Sequence, residues 1–216
     1  MSPRPRTVSD EAIVAGLGRV LGRVGPARLT LALIAREVGL APATLLQRFG
    51  SKRNLLIQLS KGAGDVGPFL ARFRQDGLGP LAAVKETLLC FAFMAPDPGT
   101  FTNHLSSYLQ LDLADPVLRG FVAQSNRRNE RLYRRVLDEA VAAGELAAVD
   151  TKALARMLAN LVAGSLIGWA SSGTGPARAW LDRDLEVVLG PLRQVRAERS
   201  SRRRSRGSSA DRPPGG

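Results

Sequence analysis

Residues 29–53, which read L-T-L-A-L-I-A-R-E-V-G-L-A-P-A-T-L-L-Q-R-F-G-S-K-R, predict two short helices joined by a tight turn, with a third helix directly after them. Thr30 is a good N-cap, because its side-chain oxygen can accept a hydrogen bond from a backbone N–H in the first turn. Apolar residues then recur at the spacing of one helix face: Leu31, Ile34, Ala35 and Val38.

The turn between the two helices is marked by a glycine and a proline. Gly39 stands where the first helix must stop, because glycine adopts a positive φ without steric cost. Pro42 suits the first turn of the second helix, where its missing N–H is not needed. The second helix is expected to end at Phe49, and Ser51 to cap the third. This spacing is typical of the helix-turn-helix, which places a helix in the DNA major groove.

The excess positive charge lies in two parts of the chain. The formal net charge is +12, from 31 basic and 19 acidic residues. Residues 1–54 hold nine basic and three acidic residues, and residues 196–216 hold seven arginines and two acids. Residues 55–195 hold fifteen basic and fourteen acidic residues, so a generally basic protein does not explain the pattern. A localised basic surface indicates a polyanionic partner, here nucleic acid.

The N-terminal part divides into a flexible basic arm, residues 1–8, and a three-helix bundle, residues 9–56. Ser9 is expected to cap the first helix, and Asp10 and Glu11 favour its positive end. One apolar stripe follows: Ile13, Leu17, Val20, Leu21 and Val24.

The remainder is also helical, because no segment alternates convincingly between polar and apolar residues. A helix from residue 51 toward 74 is expected to break or kink near residues 67–68. Further helices are predicted over residues 81–94, 97–113, 115–143, 150–171 and 176–192. The fold class is therefore all-α, with about nine helices, and residues 57–196 form a second bundle. Residues 197–216, rich in Arg, Ser, Pro and Gly, are expected to be disordered.

Two segments leave alternatives open. Residues 126–135, N-R-R-N-E-R-L-Y-R-R, are interpreted as a solvated helix face, with an extra DNA or partner contact as the alternative. Residues 157–170 are the best membrane candidate, but about fourteen residues are too few where roughly twenty are needed. The N-terminus has no apolar stretch typical of a secretory signal. We expect no membrane association and a cytoplasmic location.

The sequence argues against enzymatic activity. Its one cysteine, Cys90, excludes an internal disulfide, and its one histidine, His104, excludes a two-histidine metal site. No phosphate-binding glycine loop or nucleophile elbow is present. We therefore expect no metal, no cofactor and no catalytic residues.

Residues 31–56, L-A-L-I-A-R-E-V-G-L-A-P-A-T-L-L-Q-R-F-G-S-K-R-N-L-L, resemble a signature of the TetR family of bacterial transcriptional regulators, I-A-x-x-x-G-V-S-x-x-T-L-Y-x-x-F-x-S-K-x-x-L. Nine positions agree at the right spacing: Ile34, Ala35, Gly39, Thr44, Leu45, Phe49, Ser51, Lys52 and Leu55. The resemblance covers residues 9–56, and beyond them only the helix count and the length agree.

The resemblance implies that residues 42–48 form the recognition helix, held to its bundle by Leu45 and Phe49. It implies that Thr30 and Lys52 bind phosphates. Arg53 is a further backbone partner, and Arg4 and Arg6 reach along the backbone or into a minor groove. The expected DNA contacts are Thr30, Ala41, Pro42, Ala43, Thr44, Leu46, Gln47, Arg48, Ser51 and Lys52.

Two departures from the family pattern lie in this segment. Leu46 replaces the usual tyrosine, so a phosphate hydrogen bond gives way to apolar contact, for example with a thymine methyl. Ala41 replaces the serine of the turn and loses a small donor. We expect affinity to depend on Gln47, Thr44 and arginines.

A homodimer is expected, because one helix-turn-helix buries too little surface to give sequence specificity. Residues 153–170 are apolar on nearly every side, so one side can pack on the bundle and the other on a partner subunit. The expected interface residues are Leu158, Leu161, Gly164, Leu166, Gly168, Leu185 and Leu189. The alternative is that both helices belong only to the core.

The second bundle is larger than dimerisation requires, which favours a pocket for a small, mostly apolar effector that is neutral or weakly acidic. The candidate contacts are Phe91, Met94, Phe101, His104, Tyr108 and Trp169, with core packing as the alternative for each. The function predicted is a ligand-responsive repressor that acts as a homodimer on a palindromic, double-stranded DNA operator. The alternative is a constitutive or charge-driven DNA-binding protein without a small-molecule ligand.

Overall fold

The computed structural model describes residues 8–62 and 64–194, and within these ranges it confirms the all-α class. Ten α-helices follow one another: α1 Asp10–Val24, α2 Leu31–Val38, α3 Pro42–Phe49, α4 Lys52–Gly62, α5 Gly67–Gln75, α6 Pro80–Leu89, α7 Pro98–Ser107, α8 Pro116–Ala142, α9 Thr151–Ser172 and α10 Ala177–Leu189. The described chain contains no strand, only an isolated bridge between Leu146 and Arg193. The predicted tail at 197–216 and all but Val8 of the predicted arm lie outside the described residues.

Side-chain caps begin the helices where the sequence predicts them. The Ser9 hydroxyl accepts from the Ala12 N–H at 3.2 Å, and the Thr30 hydroxyl accepts from the Leu33 N–H at 3.2 Å. Three aspartates cap α7, α8 and α9 in the same way: Asp97, Asp115 and Asp150. Each cap satisfies backbone donors that have no partner within the helix.

Helices α1–α4 form an N-terminal bundle around one apolar cluster. The side chains of Ile13, Leu17, Ile34, Leu45 and Leu55 are all 0% exposed. Because each helix contributes one buried face, these four short helices share a single small core.

Helices α5–α10 form a C-terminal bundle with a larger apolar cluster of its own. Its central helix, α8, has 27 residues and is therefore about 40 Å long. Helices α9 and α10 pack beside it, and Leu158, Leu181 and Leu185 are 0% exposed.

Three predicted helices differ from those observed. The break expected near residues 67–68 comes earlier, because Gly64 turns the chain at φ +69° and Pro68 lies in the first turn of α5. Helix α6 ends at Leu89 and continues as a 3₁₀ turn, Cys90–Met94. Helix α7 ends at Ser107 and widens into a π turn, Tyr108–Asp112, in which the Leu113 N–H donates to the Tyr108 carbonyl at 2.9 Å.

Helix α9 is longer than the fourteen-residue apolar segment counted in the sequence. Its 22 residues contain an 18-residue window of mean hydropathy 1.4, so by length and composition it could cross a membrane. The expectation that no segment is long enough was wrong, because a window tolerates the few charges near the start of the helix. Within the bundle 39% of the window is buried, and the remainder of the window faces outward.

Candidate nucleic-acid interface

The turn between α2 and α3 has the geometry expected of a helix-turn-helix. Gly39 ends α2 in the left-handed region, at φ 68° and ψ 32°. The Leu40 N–H donates to the Ala35 carbonyl at 2.9 Å, and Pro42 begins α3. The close backbone contact fixes the angle between the two helices.

Helix α3 is held by one side and exposed on the other. Leu45 is 0% exposed and Phe49 is half-buried, as the resemblance implies. The residues of the expected DNA face lie outside, apart from the half-buried Thr44: Ala41, Pro42, Ala43, Leu46, Gln47 and Arg48. Leu46 is 45% exposed, so its side chain is accessible to a partner.

The start of α3 shows a physical consequence of its departure from the family pattern. Ala41 occupies the N-cap position and makes no side-chain hydrogen bond. Pro42 has no N–H and the Thr44 N–H donates to the Ala41 carbonyl at 3.0 Å, which leaves the Ala43 N–H as the donor that a serine cap could satisfy. This N–H lies at the positive end of the helix, where an anion is favoured.

Ser51 and Lys52 lie at the start of α4. The Ser51 hydroxyl accepts from the Asn54 N–H at 3.1 Å, so Ser51 caps the start of α4. The Lys52 Nζ donates to the Leu29 carbonyl at 3.1 Å, next to Thr30. The two predicted phosphate contacts, Thr30 and Lys52, are thus brought together by the fold.

Arg48 is engaged within the protein. Its guanidinium forms an ion pair with Asp10 and donates to the Val8 carbonyl, so it ties the end of α3 to the start of α1. Arg53 pairs with Asp115 at 2.5 Å and so ties α4 to α8. A DNA phosphate would have to compete with these carboxylates.

Glu37 on α2 pairs with two further cations. Its carboxylate accepts from Arg19 and Arg23 of α1 at 2.7 Å each. These hydrogen bonds, first that of Arg19, lower the pKa of Glu37. They hold α2 against α1, and because one carboxylate faces two guanidinium groups, the cluster keeps a positive charge.

Four cations of the N-terminal bundle have no carboxylate within 4.0 Å in the described chain: Arg28, Arg36, Lys52 and Lys61. Sequence reasoning missed Arg28, an exposed residue whose Nε donates to the Val24 carbonyl at 3.0 Å. Its position two residues before the Thr30 cap was an available signal.

The two bundles meet where α7 packs on α1. The Asn103 Nδ2 donates to the Gly22 carbonyl at 2.8 Å. A Cβ atom on Gly22 would lie 2.6 Å from His104 Nε2 and 3.3 Å from Thr100 Cγ2, so a larger residue here would force the His104 side chain to move. Burial lowers the pKa of His104. We call these residues, Gly22, Thr100, Asn103 and His104, the α1–α7 contact.

The structure brings together only some of the candidate effector residues. Phe101 and Trp169 belong to the C-terminal cluster, and Phe91 packs against it. Met94 is half-buried. The other two lie elsewhere: His104 faces α1, and Tyr108 is 38% exposed in the π turn.

The structure corrects four of the predicted dimer residues. Leu158, Leu166, Leu185 and Leu189 are 0–3% exposed, because they fill the core of their own bundle and leave no surface for a partner. Leu161 and Gly168 are half-buried, and Gly164 is exposed. The exposed face of α9 instead carries Met157, Asn160, Gly164 and Ile167.

Comparison with known proteins finds a family match within the N-terminal bundle. Residues 13–59 match the bacterial regulatory proteins of the tetR family. The chain is also 28% identical, over 133 residues, to the HTH-type transcriptional regulator BetI of Rhizobium meliloti (strain 1021). That match covers 58% of this chain and 63% of BetI, less than two thirds of its length.

Two solved structures share the fold over nearly their whole length. A TetR transcription regulator from Haloarcula marismortui is 18% identical, with a TM-score of 0.67, over 86% of this chain and 98% of that one. A transcriptional regulator from Saccharomonospora viridis, solved with choline, is 19% identical, with a TM-score of 0.65, over 82% of this chain and 93% of that one. The family match at residues 13–59 agrees with the signature of α2–α4, and the solved structures show that the chain shares their overall fold.

Proposed function

We propose that this protein is a sequence-specific DNA-binding transcriptional regulator, located in the bacterial cytoplasm, that represses its target genes by occupying an operator. The observation that carries the proposal is the exposed face of α3, which projects Gln47 and Leu46 beside the Thr30–Lys52 pair. Gln47 can bond a base edge and Leu46 can contact a thymine methyl, while Thr30 and Lys52 bind phosphates.

We propose further that the protein acts as a homodimer through α9. Met157 and Ile167 are 47% and 43% exposed on one face of the helix, and Val187 of α10 is 73% exposed. Gly164 lies between them with open space above it, where the backbone of a partner can approach closely. Burial of this face in a dimer accounts for its apolar character, and two subunits suit a palindromic operator.

A small effector in the C-terminal bundle is the third part of the proposal. Two proteins of this fold were solved with small molecules of different chemistry: the Saccharomonospora protein with choline, and the Bacillus subtilis regulator FadR with stearoyl-CoA. Here the bundle contacts α1 through α7 and α4 through α8, so a ligand that shifts either helix reorients α3. The expected coupling is about 1–3 kcal/mol in operator affinity.

The test is selection of bound sequences from a random double-stranded DNA library by the full-length protein. An enriched palindrome, with half-sites about one helical turn apart, supports a dimeric regulator. Binding without enrichment that disappears as salt rises would instead identify a charge-driven DNA-binding protein.

The control is the same selection with the full-length variant Gln47→Ala. If Gln47 contacts a base, the enriched sequence changes at one position in each half-site. An identical palindrome from both proteins would contradict the assignment of α3 as the recognition helix.

A further inference from the structure

The outer face of α8 carries a concentration of arginines that the proposed DNA contacts do not use. Residues 127–135 contain five arginines and one glutamate, although residues 55–195 as a whole have a net charge of only +1. Arg128 turns toward Asp65, with its Nη2 3.3 Å from the carboxylate. Arg127, Arg131 and Arg134 lie on another face, three and four residues apart.

These three arginines border a groove of about 140 Å³ that α8 shares with the start of α9. Lys152 closes one side of the groove, and Glu130 is its one acidic residue. We call this site the basic groove: Arg127, Glu130, Arg131, Arg134 and Lys152.

The cations of the basic groove have few partners within the protein. Arg134 lies 3.8 Å from Asp138, a long ion pair. In the described chain, Arg127, Arg131 and Lys152 have no carboxylate within 4.0 Å. Like charges at this helical spacing repel one another, so the cluster disfavours the empty state and favours a bound anion. A cleft lined by charges of one sign also concentrates counter-ions.

We propose that the basic groove binds the phosphate groups of a small phosphorylated metabolite. Guanidinium groups match phosphate oxygens in a bidentate geometry, and three arginines line this groove together with a lysine. The single carboxylate, Glu130, can accept a hydrogen bond from a hydroxyl or amino group elsewhere on the metabolite. The small, concave shape suits a compact anion.

An extension of the operator surface fits the structure less well. Helix α8 meets the N-terminal bundle near its first residue, where Asp115 pairs with Arg53. The basic groove begins twelve residues further along, about 18 Å from that end at the rise of an α-helix. The groove is therefore displaced along α8 from the helices that are proposed to contact DNA.

The experiment is calorimetric titration of the full-length protein with pyrophosphate, ADP and adenosine at about 0.15 M ionic strength. The test variant is Arg127→Ala/Arg131→Ala. The control variant, Arg119→Ala/Arg135→Ala, removes the same charge from exposed positions of α8 that do not line the groove.

We expect pyrophosphate or ADP to bind and adenosine not to bind. The test variant weakens binding by roughly tenfold or more, because charge-assisted hydrogen bonds are lost. The control variant changes it by less than about twofold. Equal affinity for pyrophosphate and ADP indicates recognition of the phosphates alone, and tighter ADP binding indicates a nucleotide.

Three results would overturn the proposal. These are binding of adenosine as tight as that of ADP, equal weakening by both variants, or no binding of either phosphate compound. If phosphate compounds fail to bind while the test variant alone loses operator affinity, the groove is a DNA contact. Because the readout is phosphate binding, it is independent of whether the protein selects an operator.

Discussion

The exposed faces of α3 and α9 show that exposure alone does not reveal the kind of partner. Leu46 on α3 is 45% exposed, and Met157 and Ile167 on α9 are 47% and 43% exposed. The difference lies in their surroundings. Leu46 has Gln47 and Arg48 beside it, and the Thr30–Lys52 pair lies at the adjoining helix starts. The exposed face of α9 has its cations, Lys152 and Arg156, at its start and continues with Asn160, Gly164 and apolar residues. A polar, cationic rim therefore distinguishes a DNA-facing surface from a protein-facing one.

The largest effect is expected from a charge on the α9 face. Ile167→Asp places an unpaired carboxylate in the proposed dimer interface, which costs about 3–5 kcal/mol and weakens dimerisation by over a hundredfold. Sedimentation equilibrium measures the change. The control Val117→Asp replaces a residue that is 48% exposed in the first turn of α8, where an acid is favoured. Equal dimerisation of all three proteins would place the interface elsewhere.

The next effect concerns the boundary between the two bundles. Gly22→Ala forces a methyl group against His104 and should lower the free energy of unfolding by about 1–3 kcal/mol. Gly18→Ala is the control, because its nearest contact would be an ordinary 3.8 Å from Leu59 Cδ1. Urea unfolding measures both.

A double variant separates steric conflict from a loss of helix geometry. If the conflict at the α1–α7 contact is with His104, then His104→Ala restores part of the stability lost in Gly22→Ala. Additive losses would show that α1 itself, rather than the contact, is sensitive to the substitution.

The α3 face is tested by Gln47→Ala with binding to defined sequences. Loss of a base contact should cost about 1–3 kcal/mol at one position of each half-site and little at unrelated sequences. Gln58→Ala, at an exposed position of α4, supplies the same substitution outside α3. A uniform loss of affinity across all sequences would show that Gln47 contacts the DNA backbone rather than a base.

The smallest effect is the pH dependence contributed by His104. Burial lowers its pKa in the folded protein, so as pH falls below about 6.5 the unfolded chain takes up the proton first. Stability is therefore complete at higher pH and is lost as pH falls through the folded pKa. The effect is small because the imidazole is only half-buried. Urea unfolding at about pH 7 and 5 should show a flatter dependence for His104→Gln, and an unchanged slope would contradict this account.

The sequence predicted best what depends on neighbouring residues. Caps such as Ser9, Thr30 and Asp150, and the turn at Gly39, act within a few residues, so the helices that they delimit could be placed without tertiary information. The resemblance added which side of α3 faces outward.

What the sequence could not supply depends on contacts between distant residues. Leu158 and Met157 are neighbours of similar hydrophobicity, but only packing decides that Leu158 is in the core and Met157 is exposed. Because α9 is apolar on all sides, its hydrophobic pattern did not distinguish its two faces. In the same way, Arg48 was expected to contact DNA, although Asp10, 38 residues away, pairs with it.

The glycine at the α1–α7 contact has a consequence for protein engineering. The N-terminal bundle has its own core, so it is an obvious unit to exchange between regulators in order to change the operator that a given sensor domain controls. Yet α7 approaches α1 so closely that a residue larger than glycine at position 22 of the grafted helix would push against His104, and the carbonyl there must remain within reach of Asn103. A chimaera with a larger residue there would retain both folded bundles but lose their fixed relative orientation. Compatibility of exchanged modules is therefore decided at this joint rather than in the recognition helix.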